Sequence, residues 1–136
     1  MRSEQFLDTN IFLRHLLGDH PAHSPKASAY FRAIDQGLRT ARISDIVVFE
    51  VVFTLERGYR RSKTEIQSAV LPLLEMAGIV LPRKRKFREV FSLYVDKNIS
   101  FADAYHAVMM RKVGLTEINS FDRDFDRITR VTRIEP

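Results

Sequence analysis

Apolar positions along the chain switch repeatedly between short continuous runs and helical spacing, and the switches mark out the elements. Gln5-Phe6-Leu7 is a short apolar opening that gives way at Asp8-Thr9-Asn10 to Ile11, Phe12, Leu13, Leu16 and Leu17. This predicts a strand running into a short helix, closed by Gly18 with Pro21 beyond. Ser24-Pro25 reads as a cap with proline at the first helical position. The helix that follows carries Ala27, Tyr30, Phe31 and Ile34 on one face and stops at Gly37. Thr40 to Ile43 is a predicted strand, and Ser44 caps a helix through about Arg57, ended by Gly58. Ser62-x-x-Glu65 is a capping box before Ile66, Val70 and Leu74, with Gly78 as the stop. Ile79-Val80-Leu81 is a short buried strand halted by Pro82. Lys86 to about Asn98 has the stripe Phe87, Val90, Phe91 and Tyr94, and Ser100-x-x-Asp103 opens another helix that ends near Gly114. Glu117-Ile118-Asn119 reads as a strand, Ser120 to Asp126 as a polar turn, and Val131 to Ile134 as a last strand.

Short apolar strands alternating with helices predict an α/β domain around a parallel sheet. Sites in such sheets collect at the carboxyl ends of the strands, where Asp8 and Asp122 lie. The 136 residues suit one domain, 1–136, without a linker, repeat or low-complexity tract. No purely apolar run exceeds four residues, as in Ile46 to Phe49, against the roughly 20 that a membrane helix needs. The N-terminal stretch has no signal-peptide pattern, so a cytoplasmic protein is expected. Cysteine is absent, which excludes a thiol nucleophile, a disulfide scaffold and a thiolate zinc site. Five glycines form no phosphate-cradling fingerprint.

Acids in apolar surroundings carry the chemistry. Glu50 sits within Ile46-Val47-Val48-Phe49-Glu50-Val51-Val52-Phe53, the most apolar stretch of the chain. A helix apolar on all sides is buried, which predicts that Glu50 is drawn out of bulk water. An unpaired buried carboxylate costs several kcal/mol, so it must be protonated, ion-paired or metal-bound. A salt bridge to an arginine or a solvent-facing edge accounts for it as readily as a function. Asp103 fits a helix cap, and Asp8 a turn or cap residue. Asp122, Asp124 and Asp126 alternate with Arg123 and Arg127, as a solvated turn would. Together, however, acids at strand ends and on buried helices repel one another unless a cation lies among them. Oxygen ligands without cysteine favour Mg²⁺ or Mn²⁺ over zinc. Net charge is +5, from 22 Lys and Arg against 17 Asp and Glu. Setting Asp8, Glu50, Asp103 and Asp122 aside leaves a far more basic remainder, as cleavage of a polyanion would need.

Four segments taken in order resemble the PIN-domain ribonucleases, and most closely the VapC-type toxins of toxin–antitoxin pairs. They are Leu7-Asp8-Thr9-Asn10-Ile11-Phe12-Leu13-Arg14, Ser44 to Glu50, Ser100 to Ala107, and Ser120 to Ile128. The resemblance implies a PIN-like three-layer sandwich, with about five parallel strands and helices on both faces. It implies metal-site acids at Asp8, Glu50, Asp103 and Asp122, with Asn10 hydrogen-bonding within the site. Ser120 takes the hydroxyl position beside the last acid, where the family often has threonine, and Asp126 stands behind the ligands. Asp8 and Asp103 would mainly hold Mg²⁺ or Mn²⁺, with Glu50 and Asp122 completing or orienting the shell. The implied activity is divalent-metal-dependent hydrolysis of RNA, with a small antitoxin and a homodimer as partners.

Arg83-Lys84-Arg85-Lys86-Phe87-Arg88 holds five basic residues in six. It reads as an RNA-backbone contact through Lys84, Arg85 and Lys86, or as a solvated loop and helix start. Arg57, Arg60, Arg61 and Lys63 form a second basic cluster with the same two readings. His15, His20, His23 and His106 lack metal-ligand spacing; His106 lies one turn from Asp103 and reads as packed or at the surface. Two other functions compete. A binding module with an idle acidic pocket would keep the acids without turnover. An aspartyl-phosphate phosphatase would want a second acid two residues after Asp8, where Asn10 stands.

Overall fold

Strands and helices alternate as the apolar pattern predicts. The computed structural model describes residues 4–136. The chain has two compact units that divide between Lys84 and Arg85.

The N-terminal unit begins with strand β1 (Glu4–Phe6) and helix α1 (Thr9–Leu17), with Asp8 as the backbone N-cap and Gly18 in the left-handed conformation at the C-cap. Helix α2 (His23–Asp35) leads to strand β2 (Thr40–Arg42). Helix α3 (Asp45–Phe53) continues as a wider turn over Thr54–Gly58. Helix α4 (Lys63–Glu75) and strand β3 (Ile79–Val80) complete the unit. The three strands form a parallel sheet in the order β1-β2-β3, with Gln5 opposite Ala41 and Ala41 opposite Ile79. Leu7 N–H donates to the Arg42 carbonyl, carrying the ladder up to Asp8. Phe12, Ile43, Val48, Val51, Ile66, Leu74 and Ile79 are almost wholly buried. Gly78 is required by close approach: a Cβ there would lie 2.6 Å from Ile34 Cγ2 and 3.1 Å from the Arg39 carbonyl oxygen.

One cap differs from expectation. Ser24 is not the cap of α2. Its hydroxyl accepts from His20 N–H, while His20 Nδ1 accepts from the backbone N–H groups of Ala22 and His23. An imidazole thus satisfies donors that a serine would ordinarily take. The Ser62–Glu65 capping box, in contrast, forms in both directions.

The C-terminal unit comprises helices α5 (Lys86–Asp96) and α6 (Phe101–Lys112) and strands β4 (Glu117–Asn119) and β5 (Thr132–Ile134). A 3-10 turn over Arg123–Arg127 lies between the strands. β4 and β5 pair in parallel, with Ile118 opposite Arg133. The helices meet through aromatic rings: Phe101 lies 4.9 Å from Phe91 and 5.3 Å from Tyr94, centroid to centroid. The five expected strands are therefore present, as parallel sheets of three and two.

Candidate metal centre

Helix α6 starts at a serine cap, and the cap decides where its acid points. Ser100 Oγ accepts the backbone N–H of Asp103 at 3.1 Å, so the capping spacing is used by the main chain. The carboxyl is left for other work. Asp103 is 9% exposed, and its Oδ2 is buried without a hydrogen-bond partner. Asp122 and Asp124 each bring a carboxylate oxygen, and these and an Asp103 oxygen all lie within 4.8 Å of one another.

The loop after β4 holds these two acids through its own backbone. Ser120 Oγ accepts Asp122 N–H at 2.9 Å, and Asp122 Oδ1 accepts Asp124 N–H at 2.9 Å. Burial first, and then the neighbouring Asp122, push the Asp103 carboxyl up to about 6. Asp122 moves the opposite way, held down by hydrogen bonding to Asp103 and Asp124 N–H, and by Arg127 and Arg133. Arg127 Nη1 lies 3.8 Å from Asp124 Oδ1 on the exposed side of the cluster, but the buried Asp103 Oδ2 has no hydrogen-bond partner, so the inner side of three converging carboxylates is left without one. The cluster's donors are all oxygen, which fits a hard divalent cation.

In the N-terminal unit, Asp8 is exposed where the β1 ladder ends, and Asn10 is exposed on the first turn of α1. Both border a cavity of about 560 Å³ that also carries Arg14, His23 and Lys26. Next to Asp8, the buried Thr9 donates its hydroxyl to Glu50 Oε1 at 3.2 Å. Glu50 itself is exposed, which corrects the expectation that the apolar helix draws it from water. The reason is the face it occupies. Val48, Val51 and Val52 are buried, whereas Ile46 and Phe53, one turn to either side of Glu50, are 68% and 62% exposed.

The protein-family model of the PIN domain matches residues 6–131, which include parts of both units. The chain belongs to the PIN domain family. A VapC ribonuclease of Aquifex aeolicus (strain VF5) is 27% identical over 124 residues, 91% of each chain. A solved structure of Mycobacterium tuberculosis VapC20, a sarcin-ricin loop cleaving toxin, is 18% identical with a TM-score of 0.36. It is matched over 98% of this chain and 100% of that one.

Among the acids expected of a PIN domain here, Asp103 and Asp122 are brought together, and Glu50 accepts from the hydroxyl of Thr9, the residue after Asp8. Asp124, read from the sequence as part of a solvated turn, joins the cluster. Asp126 pairs instead with Arg133. The roles of Thr9 and Arg133 are not legible from sequence spacing. Thr9 carried a signal, a hydroxyl beside a strand-end acid, but its partner lies 41 residues away. His106 is at the surface.

The basic run divides sharply. Arg83 and Arg85 are exposed. Lys84 Nζ donates to the Met76 and Ile79 carbonyls at 2.8 and 2.9 Å, stapling the turn between α4 and β3. Lys86 is 8% exposed, its Nζ lying 5.2 Å from the Phe87 ring centroid and 5.7 Å from that of Tyr105. Two of the three expected RNA contacts are thus structural lysines. An apolar surround takes their stems, and carbonyls or rings take the charge.

Among the described residues, no helix is long and apolar enough to cross a membrane.

Proposed function

We propose that the chain is a divalent-metal-dependent endoribonuclease that hydrolyses RNA phosphodiester bonds, and the toxin of a type II toxin–antitoxin pair. The observation that carries the metal dependence is the buried, unpartnered Asp103 Oδ2 beside Asp122 and Asp124. The RNA reading is supported by the VapC ribonuclease relative and by the basic remainder of the chain.

Asp8 and Asp103 are assigned as the principal ligands of Mg²⁺ or Mn²⁺, with Glu50 and Asp122 completing or orienting the shell. When bound, such an ion lowers the pKa of water and offsets phosphate charge. The chain's own groups do the rest. Thr9 orients Glu50, and Ser120 fixes the backbone that presents Asp122. Asn10 is assigned a hydrogen-bonding role beside Asp8. Arg83 and Arg85 are assigned to the RNA backbone, where each neutralised phosphate adds salt-sensitive affinity.

A short antitoxin and a second copy of the chain are the protein partners of this reading. The exposed Ile46 and Phe53 on α3 support the second, because large apolar side chains sharing one helix face favour association.

Asp8→Asn should abolish Mg²⁺- or Mn²⁺-dependent RNA cleavage while the circular dichroism spectrum stays that of the parent. Metal-dependent cleavage that persists in a clean preparation of this variant overturns the assignment.

A further inference from the structure

Asp122 and Asp124 sit on a loop between two short strands, and one side chain brackets the acid-bearing part of that loop from either side. Arg133, at the centre of β5, is 13% exposed at its side chain. Its Nη1 donates to the Ser120 carbonyl, where the loop begins, at 3.2 Å, and to Glu135 Oε1 at 2.9 Å. Its Nε and Nη2 donate to the two carboxylate oxygens of Asp126, in the 3-10 turn just past Asp124, at 3.1 and 3.4 Å. The β5 register places Arg133 directly opposite Ile118, and Ser120 N–H extends the ladder to the Ile134 carbonyl at 3.0 Å.

Between Ser120 and Asp126 lie the two hydrogen bonds that shape the acids: Asp122 N–H to Ser120 Oγ, and Asp124 N–H to Asp122 Oδ1. A loop carrying two like charges toward a third is under a repulsion that the exposed Arg127–Asp124 pair, at 3.8 Å, offsets only in part. A planar guanidinium engaging four acceptors in fixed directions opposes the remainder. A lysine ammonium, a point charge on a flexible stem, cannot reproduce the fork.

We infer that Arg133 is a positioning residue for the metal ligand Asp122 and its cluster neighbour Asp124, acting through Ser120 and Asp126, and that the task of Asp126 is to hold Arg133. This rests on the metal-dependent reading proposed above. It assigns Arg133 no contact with RNA or the ion.

The test uses the full chain and Mn²⁺, bound at equilibrium and read by electron paramagnetic resonance, beside RNA cleavage kinetics. Arg133→Gln should weaken Mn²⁺ binding roughly 10- to 100-fold, the range for loss of a group that orients ligands. Its kcat should recover at high Mn²⁺, with KM for RNA within about two-fold of the parent. Arg133→Lys should restore less than half of the lost affinity on a logarithmic scale. Asp126→Asn should weaken binding in the same direction, and the double variant Arg133→Gln with Asp126→Asn should be no worse than Arg133→Gln alone. Parent-like Mn²⁺ affinity in Arg133→Gln, full rescue by lysine, or additive losses in the double variant would each overturn the inference. If Arg133→Gln fails to fold, parent-like Mn²⁺ affinity in a folded Asp126→Asn overturns it, and a weakened one sustains it. A parent that binds no Mn²⁺ defeats the metal-dependent reading instead, so the two failures are distinguishable.

Discussion

Glu50 and Asp103 present opposite solutions to placing a carboxylate on a helix. Glu50 stands in the most apolar run of the chain yet faces water, between Ile46 and Phe53, and accepts from the Thr9 hydroxyl. Asp103 stands at an ordinary capping position yet is buried, with two further acids at its carboxyl. Local apolarity therefore says little about which acid is desolvated. What matters is which face of the helix is covered. On α3 the buried positions are Val48, Val51 and Val52, and Glu50 belongs to the other face. On α6 the buried positions are Phe101, Asp103, Ala104, Ala107 and Val108, so Asp103 lies on the packed face itself. Burying a charge there costs free energy that only a proton or a cation returns.

The sharpest way to break this comparison is to neutralise each acid in turn. Asp103→Asn should reduce metal-dependent cleavage to background, and should leave the metal-free melting temperature unchanged or raised, because a repelling buried charge is gone. Glu50→Gln should also reduce cleavage. Its metal-free stability should move by no more than about 0.5 kcal/mol, as for other exposed positions. Cleavage assays beside thermal melts in chelator separate the two. A stability gain in Glu50→Gln as large as that in Asp103→Asn would erase the distinction.

Changing pH tests the same contrast without mutation. The Asp103 carboxyl titrates at about 6 in the folded chain and near 3.8 when unfolded. Between those values the folded chain holds a proton that the unfolded chain has released. Stability of the metal-free protein should therefore fall as pH rises from about 4 to about 6. Asp122 has the opposite sign, since its folded carboxyl is held below the ordinary value. Its contribution is present above about pH 4 and is lost only at lower pH, so the two windows do not overlap. Urea unfolding in chelator across this range reads the slope. Mn²⁺ should remove it, because a bound cation replaces the proton. A rising slope between pH 4 and 6 in chelator would contradict the burial of Asp103.

Much of this architecture was legible because local signals and tertiary packing agree. Gly18 at the end of α1 and the Ser62–Glu65 box at the start of α4 are where pattern alone placed them. The order of acids, strand end, helix, helix, strand end, was sufficient to suggest a metal and the family. What escaped was whatever depends on a partner far along the chain. Thr9 reaches Glu50 across 41 residues, and no spacing rule links the two. Arg133 reads in sequence as one of 22 basic residues, and its fork exists only because β5 lies beside β4. Ser24 departs from the expected cap for a more local reason: the helix starts ahead of it, at His23, where His20 supplies the acceptor for the Ala22 and His23 N–H groups.

The smallest contrast lies within the basic run, where adjacent cations do different work. Lys84 gives its ammonium to two carbonyls at the α4–β3 turn, and burial lowers its pKa below that of an ordinary lysine. Arg85 is exposed. Lys84→Met keeps the stem and removes the charge, leaving the Met76 and Ile79 carbonyls without their donor. It should lower unfolding free energy by roughly 1–2 kcal/mol, with no change in the salt dependence of RNA binding. Arg85→Glu should leave stability within about 0.5 kcal/mol. It should also reduce the slope of log affinity against log salt by about one for a lost phosphate contact. Chemical denaturation and RNA binding at several salt concentrations read both variants. If Lys84→Met flattens the salt slope while stability holds, the staple at the α4–β3 turn is dispensable and Lys84 belongs with the RNA contacts after all.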